Sequence, residues 1–340
     1  MAIELTTLAE NTPDSELLIP SPETRLGWYR RMSLIRSFER AVFNLNRLGL
    51  IPGTAHLYIG MEAIAVGACS VMEETDFLTS THRGHGHCIA RSLDPGRMMA
   101  EILGRADGYC GGKGGSMHIT DVSRGMLGAD GIVGGGIPIA VGAAYGLRLK
   151  NSTSIVICFF GDGAANQGSF HEAINLAAIH RLPVIFICEN NLWALSAPFD
   201  QMTAGGSVAN RAAAYGIPGE RVDGNDVEAV FQTVSKSALR ARNGLGPYLI
   251  ECVSYRWEAH SVFTRHEIRP KEEIEEWKRK DPIANYRARL LDLKIARLEG
   301  LQEIDSQVEA EVTRAVTFAK NSPPPDPQTA FQNVYIESYP

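Results

Sequence analysis

The sequence predicts an α/β fold in which a mostly parallel sheet is covered by helices on both faces. Two apolar runs, residues 155–160 and 184–188, have the length and composition of buried parallel strands. A helical segment at residues 170–180 joins them, as in a βαβ unit. The first run leads into Asp162, which lies between two glycines, and the second leads into Asn191. Because parallel strands end at one edge of a sheet, these polar side chains are expected to meet where such sheets bind ligands.

The remaining elements follow from local signals along the chain. A loose arm with three prolines precedes a helix that begins near residue 25. The later elements are alternating helices and short strands to residue 103, a glycine-rich segment at 104–136, a small-residue helix at 137–150, a further βα unit near residue 223, a strand at 248–253, a charged helix at 271–280 and a final helix with an apolar stripe at 304–319. We expect an arm at residues 1–24, an α/β ligand-binding domain at 25–286 and a C-terminal helical extension and tail at 287–340.

The composition is that of a globular protein with a sizeable core. The chain has 340 residues, of which 44% are hydrophobic, and a formal net charge of −6. The acidic balance argues against a nucleic-acid partner, and no run of eighteen apolar residues indicates a membrane span. The six cysteines form no CxxC pair, and the N-terminus lacks the pattern of a secretory signal. We therefore expect a cytoplasmic protein with free thiols and no nucleic-acid or membrane partner.

The polar residues after the two strands have the chemistry of a magnesium and phosphate site. Asp162 offers a carboxylate and Asn191 a carbonyl, which are the hard oxygen ligands that magnesium prefers. Gly161 and Gly163 allow the backbone to approach a phosphate closely, and the following amides open a helical segment that favours anions. A plain Gly-Asp-Gly turn between strand and helix is the alternative. The twenty-six residues 164–189 between the glycine motif and the two asparagines favour the ligand site.

That spacing matches the thiamine diphosphate motif, and from about residue 25 to 336 the chain resembles the α subunits of the decarboxylating component of 2-oxo acid and acetoin dehydrogenases. The resemblance implies thiamine diphosphate and Mg²⁺ as cofactors. It implies that the side chains of Asp162 and Asn191 and the backbone carbonyl of Trp193 bind the metal. The diphosphate would be held by Arg83, Gly163, Ala164 and His260, with Gly161 allowing its close approach.

A run of three histidines follows the predicted strand that ends near residue 81. His82, His85 and His87 suggest a zinc site, but no cysteine or acid completes the ligand set. In the family an aromatic residue or histidine followed by arginine occupies this place, and the arginine binds the diphosphate. Arg83 suits that role because a guanidinium binds phosphate in a bidentate manner. His82 then joins the cofactor site, and the surrounding sequence most resembles the acetoin-cleaving branch.

Two further segments carry cofactor contacts by resemblance. Gly131 and Val133 match the residues whose backbone groups bind the aminopyrimidine ring. A dinucleotide loop is the alternative there, but no strand is predicted before this segment, which weakens that interpretation. Leu195 matches the large apolar residue that supports the bent conformation of the cofactor.

Two isolated histidines match the family's active-site histidines. A lone histidine is more often structural, but the resemblance places His56 and His260 near the diphosphate and the reacting carbonyl. Imidazole titrates near neutrality, so it can hold a phosphate when charged or transfer a proton. Relatives usually have glycine before the second histidine and Asp-Pro a few residues later. This chain has Ala259 and, at residues 264–265, Thr-Arg.

The resemblance also implies partners. The family's catalytic glutamate, which activates the aminopyrimidine, lies on a separate β subunit, and this chain has about half the length of a self-sufficient enzyme of the type. We therefore expect an α2β2 heterotetramer that cleaves acetoin, pyruvate or another carbonyl substrate and passes the product to a lipoyl-bearing acyltransferase. The small residues at 142–146 fit a subunit interface.

Three alternatives remain open at this point. One is a branched-chain 2-oxo acid dehydrogenase α subunit, which would use the same motifs. Another is a nicotinamide-dependent oxidoreductase, which would need a ribose-binding acid about twenty residues after a GxGxxG loop, and no such pairing occurs. The third is a non-catalytic interaction subunit. The intact set of Arg83, Asp162 and Asn191 argues against it.

Overall fold

A computed structural model describes residues 19–332, so the predicted tail beyond residue 332 and most of the predicted arm lie outside the described residues. The strands are β1 (Phe77–Thr79), β2 (Met126–Gly128), β3 (Val156–Gly161), β4 (Val184–Asn190), β5 (Trp193–Ala194), β6 (Ala197–Pro198), β7 (Gly219–Asp223) and β8 (Tyr248–Val253). The helices are α1 (Pro22–Arg47), α2 (Glu62–Cys69), α3 (His85–Ala90), α4 (Pro95–Ile102), α5 (Gly136–Leu149), α6 (Gly168–Ile179), α7 (Phe199–Met202), α8 (Val227–Arg242), α9 (Lys271–Lys278), α10 (Pro282–Asp292) and α11 (Leu298–Asn321).

The main sheet has six strands in the order β2-β1-β3-β4-β8-β7, and every neighbouring pair is parallel. The register pairs Gly161 with Glu189 and Glu189 with Cys252. The carboxyl ends of β3, β4 and β8 therefore lie side by side, at the edge where the sequence predicts a ligand site. The predicted α/β class with a mostly parallel sheet is confirmed.

Two cores lie on opposite faces of the sheet because side chains alternate along each strand. On β3, Ile157 and Phe159 join the core shared with α1, α2, α8 and α11, whereas Cys158 and Phe160 join the core shared with α5 and α6. The sheet is therefore covered on both faces, which accounts for the unbroken apolar runs in the sequence. No helix within residues 19–332 is long and apolar enough to cross a membrane.

The element boundaries differ from the prediction in two informative places. Helix α1 begins at Pro22, three residues before the predicted start, because Ser21 caps it by accepting a hydrogen bond from the backbone N–H of Thr24. The expectation that no strand precedes Gly131 is wrong, since β2 ends at Gly128. β2 has only three residues and lies at the edge of the sheet, so its sequence carries little of the apolar signal of a central strand.

The glycine-rich segment is folded around a buried carboxylate. Glu101 of α4 accepts hydrogen bonds from the backbone N–H groups of Cys110, Gly112, Gly114 and Gly115, at 2.7 to 3.0 Å. Four donors converge on one side chain, which satisfies backbone groups that a loop would otherwise leave to water. This part of the segment is thus held in one conformation by a single side chain.

Candidate active site

A cavity of about 340 Å³ opens at the carboxyl ends of β1, β3 and β4 and is closed on one side by the segment after β8. Most residues predicted to form the cofactor site line it: His82, Arg83, Val133, Gly161, Asp162, Gly163, Ala164, Asn191, Trp193, Leu195 and His260. The two others lie beside it. His56 contacts the rings of His82 and His260, and Gly131 lies between the lining residues Asp130 and Ile132. The structure thus brings together residues that span more than two hundred positions of the chain.

Asp162 is a buried acid at the cavity wall. Its side chain lies at the end of β3 and is only 3% exposed. Burial raises the pKa of this carboxyl from 3.8 to about 6, an effect that hydrogen bonding to backbone N–H groups and the charges of Arg256 and Arg83 only partly offset. It forms no salt bridge with any residue in the described part of the chain. A buried carboxylate without a direct cationic partner is suited to binding a cation.

Asn191 lies one residue beyond β4, next to the end of β3. Its Oδ1 atom accepts a hydrogen bond from the backbone N–H of Trp193, 3.3 Å away, which fixes the orientation of the amide. A carbonyl oxygen has a second lone pair available. The oxygen donors of Asp162 and Asn191 therefore fit magnesium, a hard cation that takes one or two protein side chains beside phosphate oxygens.

A short hairpin formed by β5 and β6 lies against Gly163 at the cavity wall. A Cβ atom added at Gly163 would come within 2.8 Å of the Cβ of Ala194, so this contact requires glycine. Leu192 and Leu195 adopt left-handed backbone conformations, with φ of 68° and 57°, which cost energy for residues with a branched side chain. Leu195 is nonetheless 60% exposed. Leu195 therefore places a strained, exposed apolar side chain at the cavity wall and not in the core.

The Trp193 side chain is turned away to another element. Its indole Nε1 donates a hydrogen bond to Glu273 of α9, with 3.0 Å between the atoms. The side chain thus anchors the hairpin to α9. This arrangement is compatible with the predicted role for Trp193, which involves its backbone carbonyl alone.

Arg83 connects the cavity wall to the segment after β8. Its guanidinium is buried and donates hydrogen bonds to the backbone carbonyls of Leu57 (3.0 Å) and His260 (2.7 Å). Burial lowers the pKa of Arg83 to about 9, so the group stays charged at neutral pH. A fixed guanidinium beside the cavity provides the positive charge that a diphosphate needs.

Three imidazole rings, those of His56, His82 and His260, lie against one another at the mouth of the cavity. Their centroids are separated by 4.7 to 5.7 Å. Burial, and then the charge of Arg83, lowers the pKa of His56 to about 3, that of His82 to about 2 and that of His260 to about 4. All three are therefore neutral at pH 7 in the ligand-free chain, so each ring has one nitrogen that can donate a hydrogen bond and one that can accept it.

The histidine run that suggested zinc does not form one site. His85 is bonded to Glu39 through Nδ1 (3.0 Å) and to Ser116 through Nε2 (2.9 Å). His87 is bonded to Ser80 and to a second buried glutamate. Helix α3 begins at His85 and turns these two rings into the core, away from His82.

Two residues of the site escaped the sequence analysis. Glu189 lines the cavity, is 2% exposed, and is bonded to the hydroxyl of Tyr58 and to His87, the latter at 3.1 Å. Arg256 is 1% exposed and approaches the carbonyl of Leu195 at 3.4 Å, while its Nε and Nη1 atoms have no hydrogen-bond partner. The available signal was a charged residue at the end of an apolar strand in each case.

These features define an α/β fold with a buried carboxylate and a buried guanidinium beside one cavity at the ends of adjacent parallel strands. The profile of a family described as "Dehydrogenase E1 component" matches residues 29–328. The chain belongs to this family. It is therefore an oxidoreductase component of the thiamine-diphosphate-dependent dehydrogenase type, as the sequence predicted.

Named relatives agree with this assignment. The chain is 47% identical to the α subunit of acetoin:2,6-dichlorophenolindophenol oxidoreductase from Bacillus subtilis, over 92% of this chain and 94% of the relative. It is 43% identical to the subunit of the same name from Cupriavidus necator, over 96% and 99%. It is 37% identical to the pyruvate dehydrogenase E1 component subunit alpha of Rhizobium meliloti, over 93% and 91%.

Proposed function

We propose that this chain is the α subunit of an acetoin-cleaving, thiamine-diphosphate-dependent dehydrogenase component that uses Mg²⁺. The observation that carries the proposal is the buried, unpaired carboxylate of Asp162 beside Asn191. The choice of acetoin is supported by the two relatives with that name, at 47% and 43% identity, against 37% or less for the pyruvate dehydrogenase subunits.

Different residues would bind the metal, the diphosphate and the aminopyrimidine ring of the cofactor. The side chains of Asp162 and Asn191 and the backbone carbonyl of Trp193 would bind Mg²⁺, and Leu195 would support the bent cofactor. The diphosphate would be bound by Arg83, Gly163, Ala164 and His260, and the aminopyrimidine by backbone groups of Gly131 and Val133. When bound, thiamine diphosphate supplies a carbon nucleophile and an electron sink for cleavage of the bond next to a carbonyl.

The neutral imidazoles supply proton transfer on the substrate side. Because His56 and His260 are uncharged at pH 7, each can accept a proton from a hydroxyl or donate its N–H to an oxygen of the substrate. Arg83 fixes the segment that carries His260 through its bond to that residue's carbonyl. A hydroxyketone such as acetoin offers both a hydroxyl and a carbonyl to these groups.

A β subunit is the partner that this surface fits. Large apolar side chains are exposed at the cavity wall and along α5 and α6: Ile132, Val133, Ile139, Leu149, Leu176, Ile179 and Leu195. Exposed apolar side chains in this number on neighbouring elements favour a protein interface. We propose that a β subunit covers it in an α2β2 heterotetramer, and that a lipoyl-bearing acyltransferase receives the product. The free thiols, five of six buried, support a reducing cytoplasm.

The test compares the chain alone with the chain plus a β-type subunit of this class. We expect Mg²⁺-dependent binding of thiamine diphosphate, and acetoin-dependent dye reduction only with the β subunit. Asp162→Asn should weaken cofactor binding at least about tenfold, because a charged metal ligand is lost. Asp130→Asn, in the same cavity but outside the proposed ligand set, is the matched control.

The substrate is decided in the same assay. Turnover of pyruvate or of branched 2-oxo acids at a higher kcat/KM than acetoin would reject the acetoin assignment while leaving the cofactor assignment intact. Cofactor affinity unchanged in Asp162→Asn would reject the magnesium site itself. Full turnover without any β subunit would reject the half-site proposal.

A further inference from the structure

The imidazoles of His56, His82 and His260 form a cluster that we call the histidine trio. They come from three separate segments: the loop before α2, the turn after β1 and the segment after β8. One ring nitrogen of each residue lies within 4.8 Å of the corresponding atoms of the other two. Two of the three ring pairs meet edge to face, with interplanar angles of 80° and 77°. The trio is therefore a convergent set of nitrogen donors rather than a stack.

The spacing is close to that of a metal site. Zinc–nitrogen bonds of about 2.0–2.1 Å in a tetrahedron place the nitrogens roughly 3.3 Å apart. Rotation of two side chains closes the remaining gap, and His82 and His260 are only partly buried and so have room to turn. The Nδ1 atom of His56 is buried and has no hydrogen-bond partner, so a metal would satisfy this atom without breaking a bond if it bound there.

The neighbouring histidines of the same sequence run show the contrast. His85 and His87 each have both ring nitrogens engaged, by Glu39 and Ser116 in one case and by Glu189 and Ser80 in the other. Their nitrogens are not available to a ligand. His82 and His260 line the cavity, and His56 lies beside it against both rings. Arg83 Nη2 lies 3.3 Å from Nδ1 of His260, which leaves Nε2 of this ring for a metal. Three imidazoles next to a cavity are the donor set of a three-histidine zinc site.

We infer that the histidine trio binds a divalent transition metal such as Zn²⁺ or Co²⁺, at a site separate from the magnesium site proposed at Asp162. Imidazole nitrogen suits zinc and cobalt, whereas the oxygens of Asp162 and Asn191 suit magnesium. A metal on the trio withdraws His260 from the diphosphate and His56 from the substrate. The site is therefore inhibitory, and metal and cofactor compete for it. Only this competition rests on the proposed function.

The surroundings limit the affinity. Arg83 and Arg256 are the charged groups closest to the trio, and both oppose a cation. No carboxylate bonds to a trio imidazole among residues 19–332, and the absence of such partners weakens a histidine site about 10- to 100-fold. These factors fit a site that fills when metal is in excess and empties when it is removed, rather than a permanent structural site.

The test is a titration of the metal-free and cofactor-free full chain with Co²⁺. We expect one Co²⁺ per chain with the intense visible absorption of a four-coordinate nitrogen site, displaced by Zn²⁺ but not by excess Mg²⁺. His82→Gln and His56→Gln should each weaken binding at least about tenfold, with circular dichroism checking the fold. The matched control is His180→Gln, at a partly exposed histidine after α6.

Asp162→Asn separates the two metal sites. The Co²⁺ absorption should be unchanged in this variant if the trio holds the metal. Absorption lost in Asp162→Asn but retained in both histidine variants would overturn the inference, as would weak, six-coordinate absorption in the wild-type chain. Binding equal in the wild type and both histidine variants would overturn it as well.

The competition is measured on the complex with the β subunit, after calorimetry has verified that this complex binds thiamine diphosphate. Adding the cofactor with Mg²⁺ should bleach the Co²⁺ absorption, and Zn²⁺ should raise the apparent Kd of the cofactor in proportion to its occupancy. Co²⁺ absorption that persists at saturating cofactor would overturn the inhibitory role. Failure of the calorimetry step would instead count against the proposed function.

Discussion

Replacing Asp162 by asparagine should stabilise the ligand-free chain while it removes the proposed magnesium ligand. The wild-type carboxylate is 3% exposed and has no salt-bridge partner within the described part of the chain. Burial therefore favours its protonated form, and its pKa rises from 3.8 to about 6. Asparagine has nearly the same shape, keeps an acceptor oxygen for the nearby backbone N–H groups and carries no charge to desolvate.

The size and the sign of the effect follow from the two pKa values. Because the folded-state pKa exceeds the unfolded-state value, the contribution of Asp162 to the free energy of unfolding is complete below pH 3.8 and is lost as the pH rises through about 6. At about 1.4 kcal/mol per pKa unit, the free energy of unfolding of the wild-type chain falls by about 3 kcal/mol between low pH and pH 8. At pH 5 the same linkage gives a loss of about half that amount.

The assay is urea unfolding of the purified chain without metal or cofactor, followed by circular dichroism at pH 8 and at pH 5. Asp162→Asn should raise the free energy of unfolding by about 3 kcal/mol at pH 8 and by about half as much at pH 5. Asp130→Asn, a partly exposed acid of the same cavity, should change it by less than about 0.5 kcal/mol. A variant no more stable than wild type at pH 8, or a gain equal at both pH values, would refute the reasoning.

Three further substitutions test the surroundings of the site. Glu101→Ala removes the acceptor of four backbone N–H groups, so amide hydrogen exchange should accelerate more at residues 110–115 than elsewhere in the chain. The free energy of unfolding measured in urea should fall by roughly 3 kcal/mol or more. Gly86→Ala places a Cβ atom 2.3 Å from the Tyr58 ring and should cost about 1–3 kcal/mol in the same assay; an unaffected midpoint would contradict the packing. Leu195→Gly should raise the free energy of unfolding by about 1 kcal/mol, because glycine relieves the strain of the left-handed backbone, and it should weaken cofactor binding measured by calorimetry. Leu195→Ala should weaken cofactor binding without raising the free energy of unfolding.

The sequence by itself determined the ligand edge of the sheet and the positions of Asp162 and Asn191 at that edge. The runs that became β3 and β4 are buried on both faces, which makes them continuous apolar segments that are easily recognised. Once the two strands are parallel neighbours, Asp162 and Asn191 follow close together, because the register pairs Gly161, one residue before Asp162, with Glu189, two residues before Asn191. Local patterning and chain connectivity were sufficient there.

Family resemblance extended this prediction to residues that local patterning does not connect. His56, Arg83 and His260 lie on three segments separated by long stretches of chain, and the structure places them around one cavity. Their functional roles remain predictions, but their proximity is now a structural fact. Nothing in composition or periodicity alone places these segments together, since that depends on how α1, α2 and the sheet pack.

Only the tertiary structure decided where the histidines of the run 82–87 lie and how the acids and histidines of the site are protonated. His82 and His87 are five residues apart, yet His82 precedes α3 and lines the cavity, whereas His87 lies within α3 and bonds to the buried Glu189. The low pKa values of the histidine trio and the raised pKa of Asp162 arise from burial by segments distant in sequence. Desolvation is a property of the whole packed environment, and a pattern of neighbouring residues does not encode it.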